Sequence, residues 1–295
     1  VLCGLMLSAT GCGNEENISS NTKYEPTTNT VGTELNKATK TDLLGTVITV
    51  STYENVEQSV FDEMFNVVKD IDTRMTMNTD NSEIAKINAN SGGSGVVVSE
   101  DTYELIKWSY EFSQASNGAF DISIGPVIEL WKLDGSFAVL PTKEEVEEKL
   151  PLVNYTNIEY SNNTVALKEK GMMLDLGGIA KGYACDAGLE YLKSTGLQSA
   201  MLDFGGNIYA LGLKPDGTPW KIGVQVPIVG ENRNVCAVSI SDMAMVTSGG
   251  YERFFEADGT TYHHILDPKN GYPVENELLS VTIVDPSATR ADALS

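Results

Sequence analysis

Residues 175–183 read Asp-Leu-Gly-Gly-Ile-Ala-Lys-Gly-Tyr and join two different patterns of apolar residues. The apolar run 172–176 predicts a buried strand. Small or apolar residues then recur at helical spacing from Ala180 to Leu192, before Gly196 ends the pattern. The glycines therefore lie where a helix begins, a place where free backbone N–H groups and the helix dipole favour an anion. The stretch predicts a cradle for a phosphate group and a metal ion.

Two common nucleotide-binding motifs do not match this stretch. The Rossmann motif needs G-x-G-x-x-G, and the lysine of a P-loop follows its last glycine and precedes Ser or Thr, whereas Lys181 precedes Gly182. A pair of glycines alone is more often an ordinary strand-to-helix turn. The functional interpretation therefore depends on the flanking carboxylate of Asp175 and on the Lys181 ammonium.

Further short motifs follow one another along the chain in an order that matches a known family. They are Leu44-Gly45-Thr46, Arg74-Met75-Thr76-Met77-Asn78, Gly118-Ala119-Phe120-Asp121, Gly125-Pro126, Leu130-Trp131, Asp203-Phe204-Gly205-Gly206-Asn207, Thr247-Ser248-Gly249, His264-Ile265-Leu266-Asp267-Pro268 and Ala291-Asp292-Ala293-Leu294-Ser295. Together they resemble the FAD:protein FMN transferases, the ApbE family, over residues 41–295. The resemblance implies an α+β fold with two lobes and with flavin in the cleft between them.

The same resemblance implies a set of site residues. Its flavin contacts are Leu44, Asn78, Ala119, Phe120, Asp121, Asp175, Lys181 and Leu266. Its metal site holds Mg²⁺ with the backbone carbonyl of Gly178, the carboxylate of Asp292 and the hydroxyl of Ser295. The family also uses the next residue, normally Thr, so we expect the C-terminus of this sequence to be truncated.

The residue types suit the transfer of FMN from FAD, with FAD as substrate. Breaking the pyrophosphate places charge on phosphoryl oxygens, which a hard divalent ion with oxygen ligands stabilises. Phe120 and Leu266 can wall an aromatic ring or belong to the core, and Lys181 can offset phosphate charge. The family's histidine aligns with His264, which we expect to assist deprotonation of the acceptor threonine because imidazole accepts protons near neutral pH. Its neighbour His263 is expected to be structural.

Two simpler interpretations accompany these assignments. Asp292 follows Pro286 and would lie in the first turn of a helix, where the dipole favours any carboxylate. The motif at 203–207 is read as a tight turn that supports the cleft.

Three functions remain open from the sequence. The first is Mg²⁺-dependent transfer of FMN to a threonine of an extracytoplasmic flavoprotein in a membrane electron-transfer system, with release of AMP. The second is an Mg²⁺-dependent FAD pyrophosphatase that gives FMN and AMP, favoured because many relatives have Tyr at the position of Asn78. The third is a non-catalytic FAD-binding lipoprotein.

The N-terminal residues and the composition indicate where such a protein would act. With 20 basic and 41 acidic side chains, the net charge of −21 argues against nucleic-acid binding, which needs clustered Lys and Arg. Residues 1–11 resemble the remnant of a lipoprotein signal peptide, with Cys12 as the lipidated residue; a plain secretory signal is the alternative. Residues 12–40 are rich in Asn, Thr and Ser and predict a disordered tether. We therefore expect a lipid anchor on the extracytoplasmic face of the cell membrane.

The remaining pattern predicts mixed helices and strands. Helices are expected at 56–75 and 101–116, and the capping-box pair Thr142 and Glu145 predicts a third. Strands are expected at 45–53, 200–203, 208–213, 220–226, 237–246, 251–256, 261–266 and 279–284, with turns at 258–259 and 269–271. Cys185 and Cys236 are expected to be buried free thiols.

Overall fold

The computed structural model describes residues 5–7, 31–132, 139–231 and 233–295. Cys12 and most of the expected signal and tether lie outside these residues. Within them, no helix combines the length and the apolar character that crossing a membrane requires.

The described residues include fourteen strands and seven α-helices. In chain order the strands are β1 (Leu5–Leu7), β2 (Val31–Leu43), β3 (Thr46–Glu54), β4 (Val96–Val97), β5 (Ile158–Ser161), β6 (Thr164–Leu167), β7 (Ala200–Phe204), β8 (Asn207–Leu211), β9 (Trp220–Gln225), β10 (Asn234–Ile240), β11 (Met243–Gly249), β12 (Phe254–Ala257), β13 (Thr260–His263) and β14 (Ser280–Asp285). The helices are α1 (Gln58–Met75), α2 (Glu83–Ala89), α3 (Glu100–Ala115), α4 (Gly125–Trp131), α5 (Lys143–Lys149), α6 (Ala180–Ser194) and α7 (Ala288–Leu294).

A seven-stranded sheet, in the order β1-β14-β11-β8-β7-β3-β2, organises the molecule. Its neighbours are antiparallel, except that β1 is parallel to β14. Side chains alternate between the two faces of β11, because successive residues of a strand point in opposite directions. Ala244 and Val246 join the core under α1, α6 and α7, whereas Met245 packs against the β9–β10 ribbon on the other face. The sheet therefore positions α6 and α7 side by side.

A smaller sheet, in the order β4-β6-β5, lies with α2 and α3. Its hairpin turns at Asn162 and Asn163, which both have positive φ, a conformation that Asn tolerates well. Ile158 and Leu167 of this sheet share one continuous hydrophobic core with Ile48 of the large sheet. The sequence pattern did not indicate this hairpin.

Residues 31–40, which the sequence analysis placed in the tether, form most of β2 and pair with β3. Ala38 and Leu43 are the buried apolar residues that this strand contributes to the core. The strand lies at the edge of the sheet and is mostly polar, so it has no apolar period to reveal it. The boundary expected at residue 40 was therefore wrong by about ten residues.

Two other expectations were corrected by local backbone structure. The single strand expected at 237–246 is interrupted by a turn in which Asp242 has a φ of 54°, so it becomes β10 and β11. The run 172–176 is buried in part but is not a named strand. The run pairs only briefly with backbone: Met173 forms a single parallel bridge with Ile124, and the Asp175 N–H donates to the Ile122 carbonyl at 2.8 Å. The side-chain amide of Asn88 binds Leu174: its Nδ2 donates to the Leu174 carbonyl at 3.0 Å, and its Oδ1 accepts from the Leu174 N–H at 2.7 Å.

Several predicted features were confirmed. Helices α1 and α3 lie within two residues of their expected limits, and the Thr142–Glu145 capping box begins α5. Asp258 and Gly259 form the turn between β12 and β13. Cys185 is a buried free thiol as expected, whereas Cys236 is a free thiol on the surface.

Candidate active site

The glycine loop 175–179 folds back on itself before α6. The Gly177 N–H donates to Asp175 Oδ1 at 2.8 Å, and the N–H groups of Ile179 and Ala180 donate to the Leu176 carbonyl. Most donors of the loop are therefore used inside the protein. This corrects the expectation of a cradle of free N–H groups, and it transfers the binding of phosphate charge to side-chain cations.

Asp292 lies in the second turn of α7 and not in the first, so the helix-start interpretation of this residue was wrong. Its carboxylate is nearly buried: Oδ2 accepts from the Gly182 N–H at 2.8 Å, and Oδ1 lies 3.9 Å from Lys181 Nζ. Burial raises the pKa of Asp292, while Lys181, the Gly182 N–H and the Asn207 side chain oppose this shift. The structure thus brings two predicted site residues, Lys181 and Asp292, into one ion pair across two helices.

Ser295 lies next to Asp292 at the end of α7. Its Oγ donates to the Asp292 carbonyl at 3.1 Å and lies 2.7 Å from Ser248 Oγ. Ser248 belongs to the Thr247-Ser248-Gly249 motif, but the sequence did not assign it a role at the site. The contact places the end of β11 against the expected metal ligand.

The donors around Asp292 fit a hard divalent cation. Among the described residues, no group of three or more His, Cys, Asp or Glu side chains could hold a metal ion. An ion here would therefore use one carboxylate together with hydroxyl and carbonyl oxygens, the kind of ligand that Mg²⁺ prefers. The buried Oδ1 of Asp292, which faces a cation beyond hydrogen-bond distance, supplies the negative charge for it.

His264 has the hydrogen bonding of a general base. Its Nδ1 lies 3.2 Å from the Arg253 carbonyl, which can only accept, so the neutral ring carries its proton on Nδ1. Among the described residues no hydrogen bond is made to Nε2, and this nitrogen keeps a free lone pair. The pKa of His264 is lowered to about 4, mainly by burial; the nearby charges of Arg253 and Lys181 contribute to the shift, and the hydrogen bond to the Arg253 carbonyl opposes it. The imidazole is therefore neutral at pH 7.

His263 has a different environment. Its Nε2 lies 3.1 Å from the Val274 carbonyl and its Nδ1 accepts from the Ile265 N–H at 3.3 Å. Both ring nitrogens are used by the backbone, as expected for a structural residue.

Glu252 and Arg253 are charged residues of the site that the sequence analysis did not single out. Burial raises the pKa of Glu252, Lys181 and Arg253 oppose the shift, and Asp292 adds to it, so these four groups share one electrostatic environment. Arg253 Nη2 also lies 3.5 Å from the carbonyl of Gly45, beside Leu44. The sequence placed both residues only within an expected strand, because nothing in its pattern relates them to α6.

The other expected flavin contacts are distributed around this centre. Phe120 packs next to Gly178, where an added Cβ would lie 3.3 Å from its ring. Asp121 is buried and both of its oxygens already accept hydrogen bonds, Oδ1 from Ser123 and Oδ2 from the Tyr155 N–H. Asp121 therefore holds the loop that carries Phe120.

The remaining expected contacts differ in exposure. Ala119 and Asn78 are exposed, and Leu44 is partly buried with its N–H donating to Asp72. Leu266 is 8% exposed and packs with Val127 and Trp131 in a small hydrophobic cluster. Leu266 is thus mainly a core residue.

Comparison with known proteins agrees with this geometry. A family model described as the ApbE family matches residues 44–295. This chain belongs to the ApbE family. It is 34% identical over 272 residues to the FAD:protein FMN transferase of Treponema pallidum, an alignment that covers 86% of this chain and 75% of that protein.

Solved structures of ApbE proteins have the same fold. The chain is similar to the ApbE protein of Thermotoga maritima, with a TM-score of 0.81 and 35% identity, over 89% of this chain and 85% of that one. It is also similar to the flavin transferase ApbE of Vibrio cholerae, with a TM-score of 0.80 and 28% identity, over 88% and 85% of the two chains. The expected α+β fold of the ApbE type is confirmed.

Proposed function

We propose that this chain transfers FMN from FAD to a threonine hydroxyl of an acceptor protein and releases AMP. The observation that carries the proposal is the pairing of Lys181 with the buried Asp292 at the start of α6, beside the neutral His264, in a chain of the ApbE family. A phosphoryl transfer needs a cation for the phosphates, a proton acceptor for the nucleophile and a place for a metal ion. These residues supply all three requirements.

The proposed reaction gives each of these side chains one role. The threonine Oγ attacks the phosphorus of the FMN half of FAD, and its proton passes to the free Nε2 of His264. The bond between that phosphorus and the bridging oxygen breaks, and AMP leaves with the bridging oxygen. Lys181 and Arg253 attract the phosphate groups, because they are the cations of the site.

Mg²⁺ belongs to the same proposal. The ligands would be the Asp292 carboxylate, the Ser295 hydroxyl and the Gly178 carbonyl. When bound, the ion supplies positive charge to phosphoryl oxygens that become more negative as the bond breaks.

Hydrolysis of FAD is the second candidate, and the observation that favours it is Asn78. This residue is exposed, and its N–H donates to its neighbour Thr76 at 3.1 Å. A small amide here gives less stacking surface for a flavin ring than the tyrosine of many relatives, and leaves more room for water to attack instead of threonine.

Chromatography of FAD, FMN and AMP, with and without Mg²⁺ and acceptor protein, separates the candidates. The transferase predicts AMP and FMN-labelled acceptor in equal amounts, and the pyrophosphatase predicts AMP and free FMN. An Asn78→Tyr variant should shift the ratio towards labelled acceptor. FAD that stays intact in the presence of Mg²⁺ and acceptor would contradict both catalytic functions.

The acceptor and the location complete the proposal. The acceptor is a flavoprotein of a membrane electron-transfer system, and the enzyme is anchored through lipid on Cys12 at the extracytoplasmic face of the membrane. Labelling with a radioactive fatty acid tests the anchor: label should enter the wild-type protein and be lost in a Cys12→Ala variant. Equal labelling of both proteins would refute the anchor at this residue.

A further inference from the structure

Helices α6 and α7 are joined by two carboxylates that act in opposite directions. Asp292 of α7 accepts from the N–H of Gly182, in the first turn of α6. Asp186, one turn further along α6, accepts from the N–H groups of Ala288 and Thr289, in the first turn of α7. Each helix thus provides the carboxylate that satisfies free N–H groups at the beginning of the other.

The Asp186 carboxylate carries an unusually full set of hydrogen bonds. Besides the two backbone donors, each at 2.9 Å, it accepts from Ser287 Oγ at 2.9 Å and from Thr289 Oγ1 at 2.7 Å. Bonds to an ionised acceptor are about twice as strong as neutral ones and fix geometry accordingly. Asp186 therefore fixes the first residues of α7 to α6. The first residue of α7, Ala288, lies four residues before Asp292.

Close packing at Gly182 also restricts the movement of α7 relative to α6. A Cβ at Gly182 would lie 2.8 Å from Asp292 Cβ and 2.7 Å from the Ala288 carbonyl carbon, so the helices are in direct backbone contact. With both ends of the contact fixed, Oδ2 of Asp292 stays on Gly182 and Oδ1 is the oxygen available for another ligand.

We infer that Asp186 is a positioning residue for the metal ligand Asp292, which it orients through α7. This inference rests on the proposed function, since it assumes that Asp292 binds Mg²⁺. It assigns a role to a carboxylate that is outside the motifs found in the sequence and that contacts neither FAD nor the metal ion in the proposed reaction.

The test compares Asp186→Asn with Glu190→Gln, a matched control on the same helix. Glu190 is 71% exposed and pairs with Lys193, so its substitution removes the same charge without touching α7. Calorimetric titration of metal-free, FAD-free protein with Mg²⁺ should show at least about tenfold weaker binding for Asp186→Asn, the usual effect of removing a group that orients a metal ligand. The control should bind Mg²⁺ like the wild type.

Three more measurements separate positioning from a general loss of structure. Hydrogen exchange of the metal-free protein should be faster at the Gly182 and Thr289 amides in Asp186→Asn, and FAD affinity without Mg²⁺ should be unchanged. Excess Mg²⁺ should restore kcat. If Asp186→Asn does not fold, Thr289→Val, which removes one of the four hydrogen bonds, should still weaken Mg²⁺ binding measurably.

Unchanged Mg²⁺ affinity in folded Asp186→Asn would overturn the inference, even with faster exchange. Failure of the wild-type protein itself to bind Mg²⁺ would instead overturn the metal site of the proposed function, and with it the role of Asp186.

Discussion

Replacing Gly182 with alanine should move α7 and disable the site. The new Cβ would lie 2.7 Å from the Ala288 carbonyl carbon and closer still to its oxygen, whereas carbon atoms in contact are about 3.5 Å apart. The two helices must therefore separate by about 1 Å. Overpacking of this kind costs about 1–3 kcal/mol, against a gain of about 1 kcal/mol from better helix propensity. The net expectation is a loss of about 0–2 kcal/mol in the free energy of unfolding.

The effect on activity should be larger than the effect on stability. A displacement of about 1 Å in a catalytic group can lower the rate about 100-fold, and the displaced group here is Asp292. AMP release from FAD measures the activity, and urea denaturation followed by circular dichroism measures the stability.

Gly188→Ala on the same helix is the matched control. There the new Cβ would meet Met64 Sδ at 3.0 Å, a flexible side chain that can move away. We expect wild-type activity and a stability within about 1 kcal/mol of the wild type. Equal activity and stability of the Gly182→Ala and Gly188→Ala variants would refute the account of the α6–α7 contact.

Four other predictions concern the base, the pH dependence of the wild type, the metal ligand and the core. His264→Ala should lower the transfer rate by about 10²–10⁴-fold. In the wild type, kcat/KM should rise with pH through about 4, as the imidazole loses its proton, and stay level between pH 6 and 7; a rise centred near 6.5 would contradict the buried environment. Asp292→Asn should abolish the stimulation of AMP release by Mg²⁺ up to millimolar concentration, and a normal Mg²⁺ titration curve would exclude this residue as a ligand. Trp131→Phe removes the hydrogen bond from Nε1 to the Gly271 carbonyl at 2.8 Å and should lower the free energy of unfolding by about 1–3 kcal/mol in urea denaturation; a stability equal to that of the wild type would contradict this role of the bond.

The sequence was sufficient for elements with a strong apolar period. Helix α1 buries residues such as Met64 and Val68 at helical spacing, and α6 begins at Ala180, one residue beyond the glycine pair, as its pattern predicted. The edge strand β2 could not be found in this way, because its pairing with β3 depends on backbone hydrogen bonds and leaves polar side chains in solvent. Similarly, the buried segment around Leu174 has the side chain of Asn88 as one of its partners, and no local pattern can indicate a partner 86 residues away.

The site, too, was predicted only in part, because local sequence patterns do not indicate partners that are distant along the chain. Lys181 and Asp292 were found through motifs, and the structure brings them together. Glu252 and Arg253 were missed because their electrostatic relation to Lys181 arises from tertiary structure that brings together residues about 70 positions apart. Asp186 was missed because its four hydrogen-bond donors come from about 100 residues further along the chain.

The most direct test of the proposed transfer is the mass of an acceptor peptide after incubation with the protein, FAD and Mg²⁺. Two peptides are compared, one with threonine and one with valine at the acceptor position, because valine has nearly the same shape and lacks the hydroxyl. The account predicts a covalent FMN adduct on the threonine peptide only, with one AMP released for each adduct. Release of AMP at the same rate with both peptides, and with no adduct on either, would contradict transfer as the function of this site.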